Sequence, residues 1–264
     1  MISIVIRNKN EAKYLERTLS ILTKLYKNDF DEIVLVDNYS TDNSLAIANS
    51  YNCKVVLIKD FTYGKALNLG ITNAKNELIL LLSSHAIPVG SSFFKNAVAV
   101  FQSNKKAAGI RFINSIANYE RAIANNFEVI NPLTNGLMAG CCMISKTVWQ
   151  KYKFDEDLAF SEDKEWSKRV IENGFKIADC NETFFYDINR SQRALLNRHK
   201  NETLSFYMLN SDKRYPNSGK LVLTFLYKIG FLNNVKYLKN LVNDFKIVGI
   251  NFKIKSILKK KNDE

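Results

Sequence analysis

The sequence predicts an α/β fold, with a mostly parallel sheet wound by helices on both faces and a helical extension at the C-terminus. Short apolar runs alternate with segments of helical periodicity through the first half of the chain. Strands that alternate with helices in this way build βαβ units, whose strands are parallel. One run, residues 78–82, is so uniformly apolar that both of its faces must be covered.

The elements follow in order along the chain. Apolar runs predict strands at residues 2–6, 33–36, 54–58, 78–82 and near 108–113. Helices are predicted at residues 11–25, from Ser40 or Thr41 to about Tyr51, at 64–74 and at 92–103. A later helix opens at the acidic stretch 161–165 and ends at Asn173 and Gly174, a glycine suited to a helix stop. Residues from 221 onward are also predicted to be helical.

Composition limits the class of protein. The chain has 264 residues, of which 46% are hydrophobic, so it is not a disordered polymer. Its four cysteines show no CxxC spacing, which argues against a zinc ribbon or a disulfide scaffold and favours a reducing compartment. The first apolar run is too short for a signal peptide and no run is long enough to span a membrane, so the sequence predicts a cytoplasmic protein.

Polar residues stand where the predicted strands end. In parallel sheets ligands bind beyond the carboxyl ends of the strands, which singles out residues 7–11, 37–42 and 83–88. A second candidate region, residues 135–144, is small and apolar with Gly136 and Gly140, as suits a backbone that passes close to a ligand. We expect these segments to meet at one site.

Residues 3–11, 32–42 and 63–71 together resemble the opening of a family 2 glycosyltransferase with the GT-A fold. The likeness continues through 154–156 and 161–166 to about residue 174, roughly two thirds of the chain. We expect a catalytic domain over residues 1–215 and, from the composition of the tail, a basic amphipathic extension over residues 216–264. The likeness implies inverting transfer of a sugar from a nucleotide diphosphate sugar to a hydroxyl of a glycan acceptor, in the synthesis of a cell-surface polysaccharide.

The resemblance assigns roles on the donor side. Asp37 takes the position that holds the nucleotide base and ribose; the alternative is that an aspartate there begins a turn or caps the next helix. Arg7, Asn10 and Glu11 lie beside it as further nucleotide-sugar contacts. For Lys65, contact with a phosphate and simple solvation are both open.

The resemblance also assigns the chemistry. Asp163 is the expected general base, with Glu162 as its substitute, because family members carry the base in an acidic pair at a helix start. Two acids that merely stabilise a first helical turn are the alternative. Gly140 and Trp166 are expected on the acceptor side, although core packing is the other interpretation of Trp166.

One motif departs from the family pattern. Most relatives end the fourth strand with Asp-x-Asp, which binds a divalent cation, whereas this chain has Ser83, Ser84 and His85. His85 can take the metal position for Mn²⁺, less readily for Mg²⁺, or it can join the two serines as a nucleotide-sugar contact. Alternatively, a basic run neutralises the diphosphate: Arg190, Arg193, Arg198 and His199. In a third account the protein is a catalytically silent scaffold that only binds.

Charge is concentrated at the C-terminus. The net charge is +12, and residues 220–264 hold ten lysines against three acids. An amphipathic, lysine-rich end fits either an anionic membrane surface or packing on the catalytic core. Nucleic acid is not an expected partner, because no RNA- or DNA-binding module accompanies the charge. A nucleotidylyltransferase is disfavoured because residues 7–11 lack the glycines of a phosphate loop.

Overall fold

The computed structural model describes residues 1–188, 191–210 and 212–262, with side chains through residue 255. The chain divides into two compact units, Met1–Asn210 and Ser211–Glu264. The first unit is built on one sheet of eight strands. The strands are β1 (Ile2–Asn8), β2 (Glu32–Asp37), β3 (Lys54–Leu57), β4 (Leu78–Ser83), β5 (Ala86–Val89), β6 (Ala107–Ile113), β7 (Cys141–Ser145) and β8 (Lys176–Tyr186).

Nine helices surround this sheet within the described residues of the first unit. They are α1 (Ala12–Leu25), α2 (Ser44–Ser50), α3 (Tyr63–Asn73), α4 (Phe93–Ser103), α5 (Ile116–Ala124), α6 (Pro132–Asn135), α7 (Lys146–Lys151), α8 (Glu162–Glu172) and α9 (Gln192–Leu209). The second unit holds α10 (Ser218–Tyr227), a π-helical turn (Lys228–Leu232) and α11 (Asn233–Asn262). The predicted helical C-terminus is confirmed.

The sheet is mixed but mostly parallel, in the order β3-β2-β1-β4-β7-β6-β8-β5. Strands β1 to β4 are parallel, and β6 is parallel to β8. Strand β7 runs antiparallel to both β4 and β6, and β5 runs antiparallel to β8. The α/β class with a mostly parallel sheet is therefore confirmed.

Both faces of the sheet are covered, as the apolar run in β4 predicts. Leu80 and Leu82 pack into the core on the side of α1 and α4, while Ile79 and Leu81 pack with α3 and α8 on the other side. Because successive side chains of a strand point to opposite faces, only a strand covered twice reads as continuously apolar. The four cysteines are free and buried, as expected.

The structure differs from two of the sequence predictions. Helix α2 begins at Ser44, because the side chain of Asp42 accepts a hydrogen bond from the Ser44 amide (3.0 Å) and keeps the preceding residues in a turn. The small-residue segment predicted as ligand-facing backbone contains strand β7 in its second half. Among the described residues, no helix combines the length and apolar character needed to cross a bilayer.

Candidate active site

The carboxyl ends of β1, β2 and β4 lie side by side at one edge of the sheet. In the strand register Asn8 faces Asp37, and Arg7 faces Ser83. The predicted donor residues of these three strands therefore meet at one edge. Whether each of them reaches an open surface depends on the local hydrogen bonds.

Asp37 is turned into the protein. Its side chain is fully buried, and it accepts hydrogen bonds from the Ser40 amide (2.7 Å), the Ser40 hydroxyl (2.7 Å) and the Asn8 amide group (2.9 Å). Asn10, whose backbone is left-handed (φ 51°), accepts from the Thr41 amide at 2.7 Å. In this structure both residues shape the turn after β2, which is the turn-forming alternative to a nucleotide contact.

The end of β4 is also buried. Glu11 Oε2 lies 3.0 Å from the Ser84 hydroxyl and 3.0 Å from Nδ1 of His85. The backbone amide of Ser83 donates to the carbonyl of Gly140 (2.9 Å). His85 is 8% exposed, its Nε2 has no hydrogen-bond partner among the described residues, and the ring of Tyr186 stands edge-on at 4.7 Å between ring centres.

A cavity of about 810 Å³ opens next to these strand ends, a size typical of sites for nucleotide-sized ligands. It lies within the first unit, between the end of β1, the loop before β7, the start of α8 and one face of α9. Five predicted site residues line it: Arg7, Gly140, Glu162, Asp163 and Arg198.

The start of α8 places two carboxylates at this cavity. Ser161 is left-handed (φ 67°), and the helix begins directly after it with Glu162 and Asp163. Asp163 Oδ2 accepts the amide of Ala139 at 2.8 Å. Since this fixes one oxygen, the second one remains for a ligand.

Arg7 joins the strand end to the acidic pair. Its Nη2 donates to the carbonyl of Ala139 (2.9 Å), and its Nη1 lies 3.5 Å from Glu162 Oε1. The guanidinium also lies over the ring of Tyr63, 5.2 Å from the ring centre. A cation and two carboxylates therefore share one cavity wall.

Burial shifts the pKa values of two side chains in this cavity wall, Glu162 and Lys164. Burial raises the pKa of Glu162 to about 7, and the charge of Asp163 adds to the effect while Arg7 opposes it. Burial likewise lowers the pKa of Lys164, whose ammonium donates to the carbonyls of Thr134 (3.2 Å) and Gly136 (3.1 Å). Lys164 thus ties the loop before β7 to the start of α8.

The raised pKa of Glu162 has a measurable consequence for stability. The folded protein keeps this proton up to about pH 7, whereas the ordinary value is 4.5, so the stabilisation from protonation is lost as the pH rises through about 7. The free energy of unfolding of Glu162→Gln, taken relative to that of the native protein, is therefore expected to rise between about pH 5 and about pH 8. Thermal denaturation at both pH values measures this. Glu172→Gln, an exposed acid at the other end of α8, is the control, and equal pH dependence of the two variants would contradict the buried titration.

Gly140 leaves room for an aromatic ring. A Cβ at this position would lie 2.9 Å from Cε2 of Tyr186 and 3.4 Å from the Ser83 hydroxyl. A side chain at this position would require the exposed ring of Tyr186 to move away from the end of β4.

A comparison with known families decides the identity. The model of the family described as Glycosyl transferase family 2 matches residues 3–157. The chain belongs to glycosyltransferase family 2.

Relatives and solved structures agree with this assignment. The family 2 chain is similar in sequence to the dolichyl N-acetyl-alpha-D-glucosaminyl phosphate 3-beta-D-2,3-diacetamido-2,3-dideoxy-beta-D-glucuronosyltransferase of Methanococcus voltae, at 27% identity over 203 residues. The match covers 67% of this chain and 63% of the length of that curated relative.

The fold is GT-A by its structural neighbours. One is mannosyltransferase PcManGT from Pyrobaculum calidifontis in complex with GDP-Man and Mn²⁺, with a TM-score of 0.63 and 14% identity over 82% of this chain and 65% of that chain. Another is glucosyl-3-phosphoglycerate synthase from Mycobacterium tuberculosis in complex with phosphoglyceric acid, with a TM-score of 0.62 and 18% identity over 83% of this chain and 82% of that chain.

The strand end where most family 2 members hold a metal does not fit a hard divalent cation here. Mg²⁺ and Mn²⁺ prefer carboxylate and other oxygen ligands, whereas β4 ends in two serines and one imidazole. One carboxylate at this strand end, that of Glu11, is already in contact with the Ser84 hydroxyl and with Nδ1 of His85. Within the described part of the chain, no three His, Cys, Asp or Glu side chains are grouped as metal ligands.

Several predicted contacts of the family 2 site lie elsewhere. Trp166 takes the core-packing alternative in this structure, because its ring is fully buried and stacks on Phe154 at 5.3 Å between ring centres. Arg193 and His199 are exposed and are not among the described residues that line the cavity, since α9 turns the face with Arg198 toward it. Lys65 is also absent from that lining. Arg190 lies outside the described residues.

The sequence reasoning missed some cavity residues of this transferase. Tyr63, Lys164, Tyr186, Asn201 and Glu202 all line it. Tyr63 and Lys164 lie within the quoted motifs and could have been found there. The other three depend on where β8 and α9 lie, for which no motif gives a signal.

Proposed function

We propose that this chain is an inverting transferase that moves a sugar from a nucleotide diphosphate sugar to a hydroxyl of a glycan acceptor. The observation that carries the proposal is the shared cavity, in which Arg7 and Arg198 line the same space as Glu162 and Asp163. An anionic donor and a hydroxyl to be deprotonated require such a combination of cations and carboxylates. Membership in glycosyltransferase family 2 supports the reaction class.

Asp163 acts as the general base in this account, with Glu162 as the substitute. The acceptor hydroxyl gives its proton to the Asp163 carboxylate while its oxygen forms a bond to the anomeric carbon. The bond from that carbon to the diphosphate breaks on the opposite face, so the configuration inverts. The Ala139 amide, which donates to Asp163 at 2.8 Å, holds the carboxylate in position for this step.

Side-chain cations take the charge of the leaving diphosphate. Arg7 Nη1 is buried and has no hydrogen-bond partner among the described residues apart from the longer ion-pair contact with Glu162, so it offers a donor to a phosphate oxygen. Arg198 Nε donates to Glu202 at 2.6 Å, and the guanidinium also hydrogen-bonds the Tyr186 side chain, so both contacts orient it at the cavity. The other donor contacts that the resemblance implies remain proposals: Asn10, Glu11, Asp37, Lys65, Ser83, Ser84 and His85.

A lipid-linked glycan is the acceptor class we favour. The relative from Methanococcus voltae is, by its printed name, a transferase acting on a dolichyl phosphate-linked sugar. Such an acceptor places the reaction at a membrane surface, in line with a role in cell-surface polysaccharide synthesis. We therefore also propose a peripheral location on the inner face of the cell membrane.

A panel of nucleotide sugars tests the proposed reaction. The purified chain is incubated with UDP-, GDP- and dTDP-sugars, and release of the nucleoside diphosphate is measured. We expect release from at least one donor, and thermal stabilisation by the same donor. Stabilisation without release under any acceptor would instead indicate a nucleotide-binding scaffold. The absence of both release and stabilisation with every donor would overturn the proposal.

Donor binding and turnover are expected to persist without a divalent cation. The reason is the chemistry at the end of β4, where serines and an imidazole replace the carboxylates that bind Mg²⁺ or Mn²⁺. Nucleoside diphosphate release in excess EDTA measures turnover without a cation. Because Arg198 is proposed to bind the diphosphate instead, Arg198→Gln is expected to lose at least about tenfold in donor affinity. Arg214→Gln, at an exposed arginine of the second unit, is the control. Activity that is abolished by EDTA and restored by Mn²⁺ would contradict the expectation while leaving the transferase assignment intact.

A further inference from the structure

The second unit is one uninterrupted helix over residues 218–262. The backbone stays right-handed helical through the π-helical turn, from Tyr227 (φ −59°, ψ −43°) and Lys228 (φ −62°, ψ −47°) to Asn233 (φ −68°, ψ −36°). At 1.5 Å per residue the helix is about 67 Å long. It is therefore an extended rod, whose side chains cannot bury one another as those of a helical bundle do.

Large apolar side chains cover this helix and are exposed. Nineteen of them between residues 221 and 254 have exposed fractions from 38% to 69%. They are Leu221, Val222, Leu223, Phe225, Leu226, Tyr227, Ile229, Phe231, Leu232, Tyr237, Leu238, Leu241, Val242, Phe245, Ile247, Val248, Ile250, Phe252 and Ile254. Soluble proteins rarely leave a continuous apolar surface of this extent in water, so it calls for a partner.

The charge of the same segment indicates which partner. Residues 220–264 contain ten lysines and no arginine against Asp244, Asp263 and Glu264, a formal charge of +7. Between residues 235 and 246, apolar and cationic side chains stand on adjoining sides of the helix. Leu238, Leu241, Val242 and Phe245 form a stripe, and Lys239 and Lys246 fall within about 60° of Val242 around the axis.

This arrangement has the chemistry of a bilayer interface. Apolar side chains enter the boundary between headgroups and acyl chains, while lysines at the edge of the stripe extend their stems along it and keep their ammonium groups at the phosphates. Each lysine near an anionic surface adds to the attraction. Since no described helix is long and apolar enough to cross a bilayer, the helix would lie along the surface.

We propose that residues 218–262 form an interfacial helix that binds a bilayer containing anionic phospholipids. The stripe of Leu238, Leu241, Val242 and Phe245 is the inserted face, and Lys239 and Lys246 are its flanking cations. This binding does not depend on the transferase reaction, so either assignment can fail while the other holds.

Co-sedimentation of the full chain with lipid vesicles tests the proposal. Vesicles of phosphatidylglycerol mixed with phosphatidylcholine are compared with vesicles of phosphatidylcholine alone, at roughly 0.1 M and 0.5 M NaCl. We expect at least about tenfold tighter binding to the anionic vesicles, weakened at high salt. Leu241→Glu combined with Phe245→Glu is expected to lose at least about tenfold in binding.

A matched variant separates the inserted face from charge in general. Asn240 and Asn243 lie on the side of the helix opposite the stripe, so Asn240→Glu combined with Asn243→Glu, which adds the same two charges, is expected to change binding by less than about threefold. Circular dichroism checks that the variants keep their helix. Failure to bind anionic vesicles, or equal binding to neutral ones, overturns the proposal. So does a concentration-dependent dimer that forms through the same stripe and excludes vesicle binding, because the partner would then be a second copy of the chain.

Discussion

Asparagine in place of Asp163 is expected to lower turnover by about three orders of magnitude while leaving donor affinity unchanged. General base catalysis contributes about 10²- to 10⁴-fold, and an asparagine cannot take the acceptor's proton. The substitution keeps the shape of the side chain, and its carbonyl oxygen can still accept the Ala139 amide that Asp163 accepts at 2.8 Å. The cavity wall should therefore survive the change.

Nucleoside diphosphate release gives the turnover of this variant, and calorimetric titration with the donor gives its affinity. Glu172→Gln, an exposed acid on the same helix, should behave as the native protein. Normal turnover of Asp163→Asn would remove Asp163 from the mechanism. If Glu162→Gln alone were inactive, the base would be Glu162, whose pKa of about 7 also suits that role.

Alanine in place of Gly64 is expected to destabilise the catalytic unit by about 3 kcal/mol, at the upper end of the usual cost of overpacking. A Cβ at this position would lie 2.0 Å from the carbonyl oxygen of Asp155 and 2.8 Å from its carbonyl carbon, both backbone atoms that cannot rotate away. That loop is anchored to α3, because Thr62 donates to the carbonyl of Glu156 (2.8 Å) and Asn68 to that of Phe154 (2.9 Å). Urea denaturation measures the change in the free energy of unfolding.

Gly249→Ala is the matched control for this substitution. Gly249 lies inside α11 with no atom within 4 Å of an added Cβ, so alanine there should gain about 0.5–1 kcal/mol of helix stability. Equal stability of Gly64→Ala and the native protein would mean that α3 and the 154–156 loop do not pack as described.

The first half of the fold was predictable because its signals are local. A uniformly apolar run such as β4 and a spaced apolar face such as that of α1 each identify an element without knowledge of its partners. Strand β8 lacked such a signal: it carries Asp179, Asn181 and Glu182, and it exists because β6 and β5 pair with it over long sequence separations. Long-range strand pairing of this kind cannot be predicted from the sequence of the strand alone.

The candidate site was predictable in part for the same reason. Arg7 follows from the rule that ligands bind beyond the carboxyl ends of strands, whereas the acidic pair follows from the resemblance to family 2 members, which carry such a pair at a helix start. Asp37 obeys that rule but turns inward, because Asn8 and Ser40 happen to lie within hydrogen-bond distance of it. The sequence could not show which basic residues after β8 face the cavity. Arg198 differs from Arg193 and His199 only in its angular position around α9.

Determining a crystal structure with the nucleoside diphosphate of the accepted donor tests most directly whether one cavity serves both substrates. Our account predicts that the diphosphate contacts Arg7 and Arg198, with its terminal phosphate directed toward the space that Asp163 faces. A nucleotide bound elsewhere, such as in the groove of about 470 Å³ lined by Asn104 and Lys176, would contradict it.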